Sequence, residues 1–301
     1  VSDPTAVLDD LRDESDELDR LVAGLAPGAW AAATPAEGWS VAHQIAHLAW
    51  TDRAALTAVT DPDSFAAEVA KALAAPHAFV DDGAAEGVAL PPADLMHRWR
   101  EGRELLLTAL REAPPGTRFP WYGPPMSAAT MATARLMETW AHGQDVADAL
   151  GVVRKPTARL AQIARIGVRT RDFAYRVHGL TPPAEPFRVE LTGPGGELWT
   201  YGPEDAAGVP HAEGLEKVTG PALDFCLLVT QRAHRADLSL HATGPDADQW
   251  LDIAQAFAGP PGKGRRPGAH RAAGHSGTST DPAGGPEPGG NTRGGTGGGR
   301  R

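Results

Sequence analysis

Glu138 and His142 stand four residues apart in "ARLMETWAHGQDVADALG" (134–151), a stretch that reads as a helix, with Asp145 about one turn further along. A carboxylate and an imidazole on one helical line are donor types that bind a divalent metal ion. Setting Glu138 at 0° and advancing about 100° per residue puts His142 at about 40° and Asp145 at about 340°. Leu136, Trp140, Ala147 and Leu150 fall on the opposite side. A solvated surface helix has the same two-sided pattern, so the line alone fits either reading. Its flanks favour a lined cleft. Met131, Ala134, Val146 and Ala149 stand where a solvent face usually carries Lys, Glu or Gln.

A second helix repeats the design. In "GWSVAHQIAHLAWTD" (38–52), Val41, Ile45 and Leu48 share one face, while His43, His47, Trp39 and Trp50 gather on the other. Two histidines at i and i+4 can hold one ion from a single helix. The alternative is that one or both pack beside the tryptophans without a ligand. Ligand-type lines on two helices converge readily in a bundle. No Ser-His-Asp or Cys-His arrangement and no Gly-rich phosphate loop stands out, which leaves a metal as the visible source of chemistry. Cys226, in the apolar run "ALDFCLLVTQ", reads as a buried core thiol rather than a nucleophile.

The elements that must position these residues follow from periodicity. Leu8, Leu11, Leu18, Leu21 and Leu25 predict a helix over 5–25, and Ser40 caps the second. Residues 61–90 read as a long connection around a short helix. "PPADLMHRWREGRELLLTALREAPPG" (91–116) opens and closes on prolines as a third strong helix. "FPWYGPPMSAAT" reads as a rigid loop, with Ser127 capping the fourth helix. Beyond residue 151, "PTARLAQIARIGVRTRDFAYRVHG" reads as one helix to 179. "FRVELTGPGGELWTYG" reads as a hairpin, "LEKVTG" and "ADLSLHATG" as strands, and "PALDFCLLVTQRA" and "DADQWLDIAQAFAG" as helices. A helical half therefore precedes an α+β half.

The 301 residues carry a formal charge of -10, with 42% hydrophobic and 22% charged residues, as in a soluble globular protein. No apolar run reaches the roughly 18 residues of a membrane span. The acidic N-terminus lacks the pattern of a signal peptide. A single cysteine rules out an internal disulfide and suits a reducing cytoplasm. The negative charge argues against a nucleic-acid surface. From Pro260 onward seven Lys/Arg face two Asp/Glu, so the first 259 residues carry about -15. That Gly/Pro-rich end has almost no large apolar side chain and reads as a disordered tail.

The residues also carry a family resemblance. "GWSVAHQIAHLAWTD" resembles the second-helix signature of the DinB-like metalloproteins, and "METWAHGQDVADALG" resembles their fourth-helix Glu-x-x-x-His element. Through "PWYGPPMS", "DFCLLVTQR" and "WLDIAQAFAGPPG" the chain is similar to an uncharacterised actinobacterial group related to the mycothiol-dependent maleylpyruvate isomerases. The resemblance implies a four-helix DinB-like bundle (1–151) and a smaller, sterol-carrier-like α+β domain (152–262), ahead of the tail (263–301). It implies a metal held by His47, Glu138 and His142, zinc first, although nickel and iron also suit such donors. His43 matches no ligand position.

Asp145 could orient a ring N–H or a bound water, or be a plain helix-surface acid. Arg232 looks like the family's catalytic arginine, which would clamp a substrate carboxylate, with nearby Arg235 or a plain surface arginine as the alternatives. The implied activity is thiol-dependent isomerisation or S-transfer on a small anionic electrophile such as maleylpyruvate, with mycothiol as co-substrate. Metal-dependent hydrolysis and ligand binding without turnover, with tryptophans lining a pocket, remain alternatives at this point. No nucleic-acid or membrane partner is expected.

Overall fold

The computed structural model describes residues 4–74, 79–202 and 216–268. Its helices are α1 (Thr5–Val22), α2 (Val41–Thr60), α3 (Pro62–Ala74), α4 (Phe79–Val88), α5 (Pro92–Glu112), α6 (Ala128–Leu150), α7 (Leu160–Arg169), α8 (Arg171–Val177), α9 (Ala222–Val229) and α10 (Pro245–Ile253). Its strands are β1 (Arg118–Phe119), β2 (Met126–Ser127), β3 (Arg188–Thr192), β4 (Leu198–Tyr201), β5 (Lys217–Pro221) and β6 (His241–Thr243). The architecture is α+β, with a helical N-terminal half and a small sheet in the C-terminal half.

The four long helices α1, α2, α5 and α6 pack on one another. Ser40 starts α2 through a capping box in which His43 returns the contact. Ser127 caps α6 by accepting from Thr130 N, and Gly151 ends it in the left-handed region at φ 66°. In the C-terminal half the sheet order is β4-β3-β5-β6, with β3 and β5 parallel and the other pairs antiparallel. Val189 and Leu191 of β3 point inward onto α7, α9 and α10, where Phe225 and Trp250 are fully buried.

α6 belongs to both halves. Thirteen of its residues are buried. Met137, Trp140 and Ala141 enter the C-terminal core, while Leu136 and Val146 enter two cores of the helical half. The polar line of α6 is thus no solvated stripe. The two halves are also tied by ion pairs, with fully buried Glu14 of α1 held by Arg154 and Arg159.

Three expectations need correction. Residues 61–90 form two helices rather than a connection around one. Gly83 and Gly87 lower helix propensity, yet they let α4 approach α2: a Cβ at Gly87 would lie 2.6 Å from Ala46 Cβ. The helix expected to run unbroken to 179 is split at Thr170, whose hydroxyl donates to Gln255 O at 2.6 Å. The strand expected over "ADLSLHATG" is confined to β6, after a 3-10 turn at Arg235–Asp237. In addition, the "rigid loop" carries the two-residue ladder β1–β2. Of the expected disordered tail, residues 269–301 lie outside the described residues, whereas 263–268 lie against the folded protein.

Candidate metal centre

α2 delivers His47 and α6 delivers Glu138 and His142 to one point. The His47 Nε2 is 3.3 Å and the His142 Nε2 is 3.2 Å from the same Glu138 Oε2. The imidazole centroids are 4.5 Å apart. One nitrogen or oxygen from each of the three residues lies within 4.8 Å of the other two. His47 is buried and Glu138 half-buried. Two aromatic rings flank the trio. Trp39 stacks on His142 at 5.9 Å and lies 5.3 Å from His47, while Trp50 lies 5.9 Å from His47.

Hydrogen bonding fixes the tautomer of His142. The Thr34 hydroxyl donates to Trp39 O at 2.9 Å, so its oxygen accepts from Gln44 Nε2 at 2.9 Å. That orientation turns Gln44 Oε1 toward His142 Nδ1 at 2.5 Å, and Nδ1 must carry the proton. Burial, and then the neighbouring His47, push the His142 pKa down to about 4. At neutral pH the ring is therefore uncharged, and its bare Nε2 lone pair faces Glu138. Two acceptors thus face each other across 3.2 Å. A cation between them turns repulsion into ligation, so this donor set fits a divalent ion.

Gln44 and Thr34 were missed from the sequence, although Gln44 stands one turn before His47 in "AHQIAHL". Replacing Gln44 by Leu is expected to weaken metal binding by roughly 10–100-fold, the usual cost of losing such an orienting partner. Chelator competition measures it. Unchanged affinity would show that the ring needs no such support.

The other candidates separate clearly. His43 is not part of the trio and bonds Ser40, with Oγ 2.8 Å from its Nδ1. Asp145 is fully buried and orients no ring nitrogen of His142. It instead takes Arg232 Nη2 on Oδ2 at 2.9 Å and Arg265 on Oδ1. Arg235 pairs with Asp248 and Asp252. Cys226 is buried, burial pushes its thiol pKa upward, and its Sγ contacts Leu160 O. Of the tryptophans considered as pocket lining, Trp99 is core, Trp121 stacks on Phe65, and Trp140 belongs both to the core and to a cavity wall. A cavity of about 150 Å³ lined by Trp140, Val152, Val153 and Leu227 involves the side of α6 opposite the trio. No helix among the described residues is long and apolar enough to cross a membrane.

A family model described as mycothiol maleylpyruvate isomerase N-terminal domain matches residues 11–147, which contain the whole trio. Two Mycobacterium tuberculosis proteins, Rv0036c and MT0041, both named as uncharacterised, are each 58% identical over 265 residues. That alignment covers 88% of this chain and 100% of each relative. The chain belongs to one family with these two proteins, and its helical half carries the mycothiol maleylpyruvate isomerase N-terminal domain. A second model, described as wyosine base formation, matches residues 183–243. The crystal structure of a mycothiol-dependent maleylpyruvate isomerase superposes on this family member with a TM-score of 0.52 at 17% identity, covering 80% of this chain and 92% of that one. A mutant of that enzyme gives 0.52 at 16%. At such identities the match shows a shared fold.

Proposed function

We propose that this protein is a metal-dependent enzyme that uses a low-molecular-weight thiol, mycothiol, to isomerise or conjugate a small anionic electrophile of the maleylpyruvate type. The observation that carries this reading is the convergence of His47, Glu138 and a tautomer-locked His142 beside two tryptophans. The N-terminal domain match supports the thiol and the isomerase class. Two neutral imidazoles and one carboxylate would hold the ion, zinc first, with nickel or iron also suited to the donors. When bound, such an ion supplies a Lewis acid that lowers a thiol's pKa into the neutral range.

The chain's own residues do the rest. Gln44 keeps the His142 Nε2 free of a proton. Trp39 and Trp50 restrict water at the reacting centre. Arg232, one turn along α6 from His142 through its bond to Asp145, stands to receive a substrate carboxylate. Cys226 takes no part, so the nucleophilic sulfur must come from a soluble thiol, which a reducing cytoplasm would supply.

The test is turnover of maleylpyruvate, and consumption of thiol with activated enones, by metal-loaded protein with and without mycothiol. Activity is expected only with the thiol. Turnover indifferent to thiol would favour metal-dependent hydrolysis. A fully metallated protein inactive in both assays would favour ligand binding without turnover.

A further inference from the structure

The segment after α10 crosses from the C-terminal half to the mouth of the helical half and is pinned along its length. Gly262 N donates to Gln231 Oε1 at 3.1 Å, and Gly268 N donates to both oxygens of Asp237 at 2.9 and 2.8 Å. Between these anchors Lys263 pairs with Glu37 at 2.6 Å. Arg265 Nη1 donates to Pro35 O at 3.0 Å, and Arg265 Nη2 donates to Asp145. Pro35 and Glu37 belong to the turn that leads into Trp39. The segment therefore secures the turn carrying one wall of the metal centre.

The charge at its contact point is unbalanced. Asp145 is fully buried and carries one negative charge, yet it meets two guanidiniums, each about 15% exposed or less. Arg232 alone would make a neutral pair with Asp145. With Arg265 the cluster holds one net positive charge. Of five guanidinium N–H groups, Arg232 uses three, on Ala141 O, Thr230 O and Asp145. Arg265 uses two, and its Nε is buried with no hydrogen-bond partner among the described residues. A buried cationic donor without a partner is costly unless an acceptor arrives. Asp145 lies three residues from His142, so on one helix face the cluster neighbours the trio.

We propose that Arg265 is a specificity-determining residue, which with Arg232 forms a subsite for a substrate carboxylate beside the metal trio. The proposal rests on the reading of that trio as the reaction centre. It adds that the C-terminal segment completes the site. Asp145 holds the two guanidiniums together, and the second guanidinium leaves the pair a positive charge to offer.

The probe is maleate, titrated calorimetrically into metal-loaded, full-length protein, with metal content measured alongside. Arg265→Gln is expected to weaken maleate binding by about tenfold, the effect of one nearby, partly screened charge, without loss of metal. Arg265→Lys keeps the charge and should recover most of the affinity. Arg98→Gln, which removes an exposed arginine of α5, should bind as the wild type does. Thermal stability read on the same variants separates a merely structural role, in which maleate affinity would fall only in step with Tm. Wild-type maleate affinity in metallated Arg265→Gln, equal weakness of the Lys and Gln variants, or no maleate binding by metallated wild type would each overturn the subsite. None of these outcomes depends on thiol-dependent turnover, so failure of the proposed activity remains separately visible.

Discussion

His142→Ala and His47→Ala are each expected to reduce a stoichiometry of about one divalent ion per chain to near zero, while His43→Ala keeps the ion. The difference lies in what each ring touches. His47 and His142 direct Nε2 at Glu138 Oε2, and His43 spends its Nδ1 on the Ser40 cap. Thermal stability supplies an independent readout. An ion at about a hundredfold its Kd stabilises the native state by about 2.7 kcal/mol. For a chain of this size that raises Tm by roughly 5–10 °C. Wild type and His43→Ala should show this rise on adding zinc, whereas His142→Ala should not. The ion-free proteins should differ much less, because without a cation the His142 Nε2 and the carboxylate oppose each other. Full metal retention in His47→Ala would remove α2 from the centre and end the assignment.

The Glu138–His142 line was legible in the sequence because its spacing and its flanks pointed the same way, whereas the choice of His47 over His43 came from the family resemblance. Small and apolar neighbours such as Ala134 and Val146 mark a line that does not face water, and the structure buries Val146 completely. Caps were legible for a similar reason: Ser40 and Ser127 act locally, within one turn of the chain. What escaped was tertiary. Nothing near Thr170 announces that its hydroxyl will reach Gln255 O, 85 residues away. Residues 61–90 read as a connection because the sequence does not show that α2 needs the missing side chains of Gly83 and Gly87. Arg265 was hidden by composition. It stands in "GPPGKGRRPG", which buries too little apolar surface to signal order, and its fixation comes from Asp145, 120 residues earlier. Asp145 was singled out for its place on the line, but its partners come from beyond the helix.

Asp52→Ala is expected to cost about 3–5 kcal/mol of stability, the effect of stripping the partner from a buried charge. Arg135 of α6 is 2% and Asp52 of α2 is 4% exposed, and Nε meets Oδ1 at 2.9 Å. The same guanidinium donates through Nη2 to the Thr51 hydroxyl at 2.5 Å, and that hydroxyl donates to His47 O at 2.8 Å. Removing Asp52 leaves the Arg135 charge buried between the two helices that carry the metal ligands. Water must enter or the helices must part, and either loosens the register of His47 against Glu138. At about 2–4 °C per kcal/mol, Tm should fall by roughly 6–20 °C. Chemical denaturation measures the loss directly, and metal affinity should fall with it. Replacing both partners, as Asp52→Leu with Arg135→Met, removes the stranded charge and should recover most of the stability. Recovery of stability without recovery of metal affinity would separate the two roles, since only the native pair ties Thr51 and His47 to α6. A loss under about 1 kcal/mol in Asp52→Ala would mean that Arg135 reaches water on its own, and that the ion pair does not set the spacing of the metal centre.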